Sequence, residues 1–354
     1  MTEPHQASAA APPARSGKLK FVIRYGLSAV ITVGFLYLAF RGTNFHKLYE
    51  TMLQVNYWWM LPNFACLMLS HLLRAWRWRY MLEPVKPNIS IRNLFSGVMV
   101  GYMMNNILPR AGELVRPYTI GKLEGVPKTA ALGTIVIERI IDTVSFLVLI
   151  ACIPLVYHGP LRESFPWLVD TGIVALAAAL GFLALFIVLT MRRDMADWVV
   201  RRLERILPKR VAERLDGWVH AFLDGFLFLS RPGRFVIITV LSILIWALYV
   251  LMMYLAFFAF DFHGALGLGA ALVVQAISSI GVALPTPGGT GTYHAFTSQT
   301  LSRLYFVDPT LALSFATITH AVGFVGVTIV GLYYFLRDHI QVGEAVGGGR
   351  NSGK

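Results

Sequence analysis

The chain has 354 residues, of which 56% are hydrophobic and 14% are charged, with a formal net charge of +12. Soluble domains carry about 25% charged residues, so the composition excludes an ordinary soluble protein and indicates an all-α polytopic membrane protein. The positive charge is typical of cytoplasmic loops beside anionic lipid, so we expect membrane lipids, and no nucleic acid, as partners. Cys66 and Cys152 lie in apolar runs and indicate core residues rather than a disulfide.

In chain order, a polar tail precedes a series of apolar segments. Residues 1–20 and 341–354 predict disordered cytoplasmic tails around one membrane domain, residues 21–340. Six segments are long enough to predict full crossings: residues 22–40, 57–75, 131–157, 171–191, 234–260 and 311–336. Residues 192–231 predict amphipathic helices on the inner leaflet, and a dimer or partner surface is the alternative.

Two shorter apolar segments, residues 93–108 and 268–284, each run into a break rich in Pro and Gly. The distribution of Lys and Arg predicts the orientation of the two segments in the membrane, because cytoplasmic loops carry the excess of these residues. With both termini on the cytoplasmic side of the inner membrane, each segment forms a re-entrant hairpin, and the two enter from opposite faces. This arrangement places 26 of the 31 Lys and Arg residues inside, including those at 74–92, with four outside and Arg139 within a helix.

The two halves of the chain share one predicted order of elements. Residues 57–157 and 234–336 each contain a span, a hairpin and a span, and the breaks align weakly as ILPRAG and ALPTPG. Inverted repeats whose broken helices meet near the bilayer midplane are typical of secondary transporters. Irregular backbone at that depth needs burial in protein or access to water, so the breaks predict a polar cavity between the halves.

The span after the first hairpin carries ionisable residues. One helical face contains Thr134, Glu138, Asp142 and Ser145. An ionisable residue at the centre of a span costs at least about 2.5 kcal/mol unless it is paired or hydrated. The face therefore predicts either a structural ion pair to the first hairpin or the lining of a hydrated path. Arg139 lies beside it, and we expect Glu138, Arg139 and Asp142 to act as a unit.

The first break places Arg110 and Arg116 on either side of Glu113. The planar fork of Arg binds two phosphate oxygens at once, and a helix that resumes after a break favours an anion at its N-terminus. These features predict a site for an anionic headgroup, with a topological anchor at the lipid surface as the alternative. We expect Asn105 and Asn106 to cap or brace the hairpin.

The second break, PTPGGTGTYH, differs from a nucleotide-binding phosphate loop because it lacks the GK[ST] ending and no strand precedes it. Gly288 and Gly289 lie in this break, and His294 and His320 follow it. A lone His is more often a polar core residue than a metal ligand. The chain has no HExxH, cysteine cluster or GxSxG motif, so we expect neither a metal nor a cofactor.

Three motifs together resemble one family: NNxxPRxGExxR, then ERxxD in the next span, then PTPGGxGTYH in the second half. This is the flippase-like family related to the transmembrane region of lysylphosphatidylglycerol synthase, and the resemblance covers about residues 20–340. It implies a membrane domain similar to a lipid flippase. The chain does not extend into the aminoacyltransferase domain of the aminoacyl-lipid members, so the resemblance does not imply lysyl transfer.

These observations predict a lipid flippase or lipid-headgroup transporter, rather than an enzyme, for a phospholipid, glycolipid or polyprenyl-type lipid. The expected partners are lipids with an anionic headgroup and proteins of cell-envelope biosynthesis. The alternatives are a membrane-embedded enzyme acting on a phosphate-bearing lipid and a non-transporting accessory subunit of cell-envelope lipid synthesis. The candidate site residues are Asn105, Asn106, Arg110, Glu113, Arg116, Glu138, Arg139, Asp142, Gly288, Gly289, His294 and His320.

Overall fold

The computed structural model describes residues 15–157 and 232–341, with a few isolated positions between these ranges. Within these ranges the chain forms helices and no strand, as the composition predicts. Apart from isolated positions, the predicted span 171–191 lies outside the described residues, as do the amphipathic segment 192–231, nearly all of the C-terminal tail and residues 1–14 of the N-terminal tail. The first helix begins at Arg15, inside the predicted tail.

The first described range holds α1 (Arg15–Phe40), α2 (Phe45–Leu53), a 3-10 turn (Tyr57–Trp59), α3 (Met60–Leu82), α4 (Ile91–Ile107), α5 (Gly112–Glu124), α6 (Lys128–Ala151) and α7 (Ile153–Val156). The second holds α8 (Pro232–Ala259), α9 (Leu268–Ala283), a 3-10 turn (Pro287–Gly289), α10 (Thr292–Tyr305) and α11 (Pro309–Arg337). A helix, a broken pair and a helix therefore occur in the same order twice, as α3 to α6 and as α8 to α11.

Several of these helices have the length and composition of membrane spans. Three helices are by themselves long and apolar enough to cross a membrane. They are Lys128–Val156, which combines α6 and α7, Gly233–Ala259 in α8, and Pro309–Arg337, which is α11. Helices α1 and α2 are long and apolar enough for one span only when they are taken together, and the chain bends by 83° between them. Helix α3 has 23 residues, about 34 Å at 1.5 Å per residue, and is therefore long enough to cross. Because it carries arginines, it is less apolar than these candidate spans. The protein is thus an all-helical, multi-pass integral membrane protein.

Helices α4 and α5 fold back on each other as hairpin one. The helix is broken at Pro109, and Arg110 adopts a positive φ of 61°. A Cβ atom on Gly112 would lie 2.1 Å from the carbonyl oxygen of Gly101, so the two helices approach as closely as they do because both positions lack a side chain. Asn105 braces the break, because its Oδ1 accepts a hydrogen bond from the Gly112 N–H at 2.8 Å.

The other end of hairpin one is closed by Glu124, the last residue of α5. Its Oε1 accepts hydrogen bonds from the backbone N–H of Ser90 at 3.2 Å and from Asn93 Nδ2 at 2.7 Å. Ser90 and Asn93 lie where α4 begins. The start of α4 and the end of α5 therefore lie side by side.

Helices α9 and α10 form hairpin two around the second break. Gly288, Gly289 and Gly291 have φ values of 55°, 79° and 83°, which L-residues with a side chain rarely adopt. A Cβ atom on Gly281 of α9 would lie 2.8 Å from the carbonyl oxygen of Thr292 in α10. Both hairpins therefore depend on a glycine contact between their two helices.

The two breaks lie together beside the middle of α11. Asn106, next to the first break, donates through Nδ2 to the Phe324 carbonyl oxygen at 3.1 Å and to Thr328 Oγ1 at 2.9 Å. A Cβ atom on Gly288, in the second break, would lie 2.6 Å from Asn106 Oδ1. His320 of α11 places Nε2 3.0 Å from the Gly288 carbonyl oxygen.

One prediction for this region is wrong. The span predicted at 57–75 ends too early, because α3 continues to Leu82, and Arg74 and Arg77 are buried within it rather than lying free beyond the span. The physical reason is that acidic partners on α6 pair with both guanidinium groups, so the helix can carry them inside the protein.

Candidate functional site

A group of charged side chains lies where α3, α5 and α6 meet. This buried ion-pair cluster consists of Arg74, Arg77, Arg116, Glu138, Arg139 and Asp142. The side chains of Arg77 and Glu138 are fully buried, and those of Arg74 and Arg116 expose only 4% and 3% of their surface. Asp142 exposes 14% and Arg139 exposes 41%, so the cluster opens on the side of Arg139.

Glu138 is the centre of the cluster. Its Oε1 lies 2.6 Å from Nη1 of Arg74 and 3.2 Å from Nη1 of Arg116, and its Oε2 lies 2.8 Å from Nη2 of Arg116. Nη2 of Arg77 and Nη2 of Arg139 are each 3.7 Å from Oε1. Arg116 therefore binds Glu138 with both terminal nitrogens. Arg77 and Arg139 are the two more distant partners of Glu138, and of these two only Arg139 is exposed.

Asp142 binds the two arginines of α3. Its Oδ2 lies 2.6 Å from Nη1 of Arg74, and its Oδ1 lies 2.6 Å from Nη2 of Arg77. Helix α8 completes these contacts, because Arg74 Nη2 donates to the Tyr249 hydroxyl at 2.9 Å and Arg77 Nη1 donates to Ser242 Oγ at 2.9 Å. The cluster thus joins helices from both halves of the chain.

Local sequence spacing places these groups on the facing sides of two helices. Arg74 and Arg77 are three residues apart in α3, and Glu138 and Asp142 are four apart in α6. Residues three or four apart lie on one face of a helix. Two arginines on one helix therefore face two carboxylates on the other.

Hairpin one delivers Arg116 to the same place. A Cβ atom on Gly101 would lie 2.4 Å from Arg116 Cγ, so the missing side chain leaves room for the arginine stem. The Arg116 guanidinium carbon lies 4.3 Å from the ring centroid of Trp78, and Trp78 Nε1 donates to Thr134 Oγ1 at 2.9 Å. The aromatic ring and its hydrogen bond hold the guanidinium in front of Glu138.

The cluster has a surplus of positive charge. It contains four guanidinium groups and two carboxylates, and the Nε atoms of all four arginines are buried without a hydrogen-bond partner in the described part of the chain. A buried charge that lacks compensation costs several kcal/mol. A bound anion would balance the surplus, and Arg139, with 41% of its side chain exposed, is the member that such an anion could reach, so the charge of the cluster favours a phosphate or carboxylate ligand.

The structure brings together four of the predicted site residues: Arg116, Glu138, Arg139 and Asp142. Arg116 pairs with Glu138 rather than with its sequence neighbour Glu113. Arg110 is exposed and Glu113 is half-buried, and within the described ranges neither forms an ion pair. Arg110 is thus not a member of the cluster.

The predicted residues of the second break form a separate group. The rings of His294 and His320 are 4.7 Å apart, and the Gly291 N–H donates to Nδ1 of His294 at 3.4 Å. The Gly288 carbonyl oxygen lies at hydrogen-bonding distance from His320, and Gly289 next to it is buried. Among the residues described, no three His, Cys, Asp or Glu side chains are arranged to hold a metal ion.

Sequence reasoning missed Arg74, Arg77, Tyr249 and Ser242. The spacing of Arg74 and Arg77 carried a usable signal, because it presents two cations on one helical face, as Glu138 and Asp142 present two anions. Tyr249 and Ser242 lie in a strongly apolar helix and have no local signal, since only the packing of α3 against α8 brings them to the arginines.

Comparison with known proteins gives the family. The family model for the lysylphosphatidylglycerol synthase TM region matches residues 25–331. A UPF0104 membrane protein of Methanothermobacter thermautotrophicus is 28% identical over 228 residues, which cover 61% of this chain and 66% of that protein. A UPF0104 membrane protein of Methanocaldococcus jannaschii is 24% identical over 296 residues, covering 80% and 86%.

A more distant relative is the glycosyltransferase AglD of Haloferax volcanii, 24% identical over 288 residues, which cover 73% of this chain and 45% of that protein. No solved structure matches. Because the family model covers most of the chain, the protein belongs to the family of the lysylphosphatidylglycerol synthase TM region.

Proposed function

We propose that this protein is a lipid flippase that binds an anionic lipid headgroup at the buried ion-pair cluster and moves it between leaflets. The observation that carries the proposal is the charge surplus of the cluster, four arginines against two carboxylates, inside a multi-pass membrane protein. A phosphate group of a lipid carries the opposite charge and the acceptor oxygens that a guanidinium group binds. The acyl chains stay in the bilayer.

The residues of the cluster have different roles in this proposal. Arg139 contacts the lipid phosphate, because it is the most exposed member and its distance to Glu138, 3.7 Å, is long. Arg74, Arg77 and Arg116 hold the two carboxylates in place at 2.6–2.8 Å. Glu138 and Asp142 in turn keep these arginines buried and limit the surplus charge, which allows the headgroup to leave again.

The proposed arrangement in the membrane is an inverted repeat with both termini in the cytoplasm. Hairpins one and two enter from opposite faces as re-entrant elements. Hydrogen bonds from Ser90 and Asn93 to Glu124 support this for hairpin one, because its two ends lie side by side. The contact between Asn106 and Gly288 supports a meeting of the two breaks within the membrane, as in transporters that are built from broken helices.

The relative named as a glycosyltransferase favours a second candidate, a membrane-embedded enzyme that acts on a phosphate-bearing lipid. Glu138 and Asp142 are the acidic groups nearest the proposed ligand, but each already binds two or more arginines. The charge surplus fits binding of the lipid equally in both candidates, so the product must distinguish them.

The test uses the purified full-length chain in liposomes with three labelled lipids: phosphatidylglycerol, a neutral glycolipid and a polyprenyl phosphate. We expect the two phosphate lipids to change leaflet with unchanged mass. Arg139→Lys keeps the charge but loses the fork, and we expect it to slow their transport about tenfold, the equivalent of one charge-assisted hydrogen bond. Arg79→Lys, on an exposed arginine at the end of α3, is the matched control.

The other outcomes are equally informative. Transport of the neutral glycolipid alone would exclude the anionic headgroup. A changed lipid mass would establish the enzyme. Neither transport nor chemical change would leave the accessory subunit, and full transport by Arg139→Lys would remove Arg139 from the site.

A further inference from the structure

A pocket of mixed polar and apolar lining lies between the end of α1, the end of α10 and the start of α11. It has a volume of 210 Å³ and is lined by Arg41 and Arg303, by polar groups such as Gln299 and Ser302, and by Thr310. No member of the buried ion-pair cluster lines it. We call it the Arg41–Arg303 pocket.

The two arginines of this pocket carry the guanidinium groups that could bind a ligand. Arg41 and Arg303 are exposed, and neither pairs with a carboxylate anywhere in the described ranges. The neighbouring cation behaves differently, since Lys47 Nζ binds Asp308 Oδ2 at 3.0 Å. The pocket thus has two guanidinium groups, without a carboxylate partner among the described residues, beside hydroxyl and amide groups, a set of donors that suits a phosphate.

Helix α2 indicates the depth of the pocket in the membrane, because one of its faces consists of exposed apolar side chains. Phe45, Tyr49 and Leu53 recur every four residues and expose 65%, 62% and 64% of their surface. The opposite side of α2 packs on α11. On this side Leu48 of α2 is buried, and Thr51 Oγ1 of α2 donates to Ser314 Oγ of α11 at 3.0 Å.

A third face of α2 is polar. His46 and Glu50 lie on it, 3.3 Å apart, and both are exposed. A helix with separate apolar and polar faces lies in the plane of the membrane interface, and the 83° bend between α1 and α2 fits a span that turns into this plane. The Arg41–Arg303 pocket begins at that bend, with Arg41, Gly42 and Thr43, so it lies at the depth of the lipid headgroups.

We propose that the Arg41–Arg303 pocket binds the phosphate of a lipid headgroup in the leaflet that faces away from the cytoplasm. This inference rests on the proposed function, of which it names the second lipid site. A whole drug-sized ligand needs a pocket of about 300–1,000 Å³. The smaller volume of 210 Å³ accommodates a headgroup whose acyl chains remain in the bilayer.

Two further features support this assignment. Under the proposed topology only four Lys and Arg residues lie on that face of the membrane, and two of them line this one pocket. Helix α10 also links the pocket to the breaks, because it runs from Thr292, beside the second break, to Tyr305, close to Arg303. The pocket therefore lies at the far end of the helix that starts at the second break.

The test measures how many lipids the full-length chain binds, with short-chain phosphatidylglycerol as the probe and titration calorimetry in neutral detergent as the method. We expect two lipids per wild-type chain. The double variant Arg41→Gln with Arg303→Gln should bind one, since its affinity for the second falls at least tenfold. The control, Arg79→Gln with Arg92→Gln, removes two exposed arginines outside the pocket and should still bind two.

The variant Arg139→Gln separates this inference from the proposed function. Loss of one lipid in Arg139→Gln, with two retained in the Arg41/Arg303 double variant, would overturn the pocket and leave the proposed function intact. The reverse result would overturn the cluster as the lipid site and keep the pocket. Inorganic phosphate that binds the pocket as tightly as the lipid would overturn the assignment to a headgroup. Equal melting temperatures are expected for all variants at exposed positions.

Discussion

Glu138 is the residue on which the buried ion-pair cluster depends, because it touches all four arginines and has no exposed surface. Surface ion pairs contribute about 0–1 kcal/mol to stability, whereas breaking a buried pair by removing one partner costs about 3–5 kcal/mol. The partners of Glu138 therefore differ in importance. Arg74 binds both carboxylates at 2.6 Å, and Arg139 approaches only at 3.7 Å.

This difference gives a prediction for two arginines of the same cluster. Arg74→Ala should lower the free energy of unfolding by about 3–5 kcal/mol, because Glu138 and Asp142 lose a buried partner. Arg139→Ala should lower it by about 1 kcal/mol or less, as for a solvent-accessible pair. Titration with SDS in mixed micelles measures both values, and equal losses would contradict the geometry.

At the scale of elements, hairpin one exists because a helix breaks at Pro109 and two glycines let its halves approach. The Gly101–Gly112 contact sets the position of α5 and therefore of Arg116, which occupies the space beside Gly101. Hairpin two uses the same device at Gly281 and Thr292. The structure thus explains why both breaks are followed by a helix that packs back against the preceding one.

A methyl group tests the contact within hairpin one. Gly112→Ala would place its Cβ 2.1 Å from the Gly101 carbonyl oxygen, so the helices must separate and draw Arg116 away from Glu138. We expect a lower melting temperature and at least tenfold slower transport of phosphate lipids, because such overpacking typically costs about 1–3 kcal/mol.

The matched control is Gly34→Ala in α1, where a Cβ meets no atom within 4 Å. Alanine is favoured over glycine within a helix by about 1 kcal/mol, so this variant should be as stable as the wild type or slightly more stable. A normal melting temperature for Gly112→Ala would show that the hairpin tolerates a wider spacing.

At the scale of the whole molecule, the two sets of four helices share their contacts rather than forming separate units. Tyr249 and Ser242 of α8 bind arginines of α3, and Asn106 of hairpin one binds α11. The breaks and the cluster are therefore both built from the two halves. Relative movement of the halves would therefore alter both sites at once.

The proposed topology predicts which loops share a side of the membrane. In a variant with Cys66 and Cys152 replaced by Ala, single cysteines at Ser90 and Thr129 should react with an impermeant thiol reagent only from the cytoplasm. A cysteine at His46 should react only from the opposite side. All three positions are exposed. Labelling of Ser90→Cys and Thr129→Cys from opposite sides would refute the re-entrant hairpin.

The apolar helices and the two breaks could be predicted from the amino acids alone, because hydrophobic length, Pro109 and the glycines of the second break act locally, whereas the short helix α2 was not predicted. The predicted segments 93–108 and 268–284 agree within two residues with α4 and α9. The acidic face of α6 was also evident, since four-residue spacing sets it. Asn105 braces the break, as predicted, through the nearby Gly112 N–H, whereas Asn106 binds Phe324 and Thr328 of α11, a contact that no local pattern records.

The partners of that acidic face required the tertiary structure. Arg74 and Glu138 are 64 residues apart and Arg74 and Tyr249 are 175 apart, and no local pattern records a contact over such separations. An arginine near the end of a span gives the same sequence pattern whether its side chain lies in water beside a loop or pairs with a carboxylate inside the protein. Only the packing of α3 against α6 and α8 decides between these environments. Burial of the guanidinium group becomes favourable because this packing places a carboxylate and a hydroxyl at hydrogen-bonding distance from it.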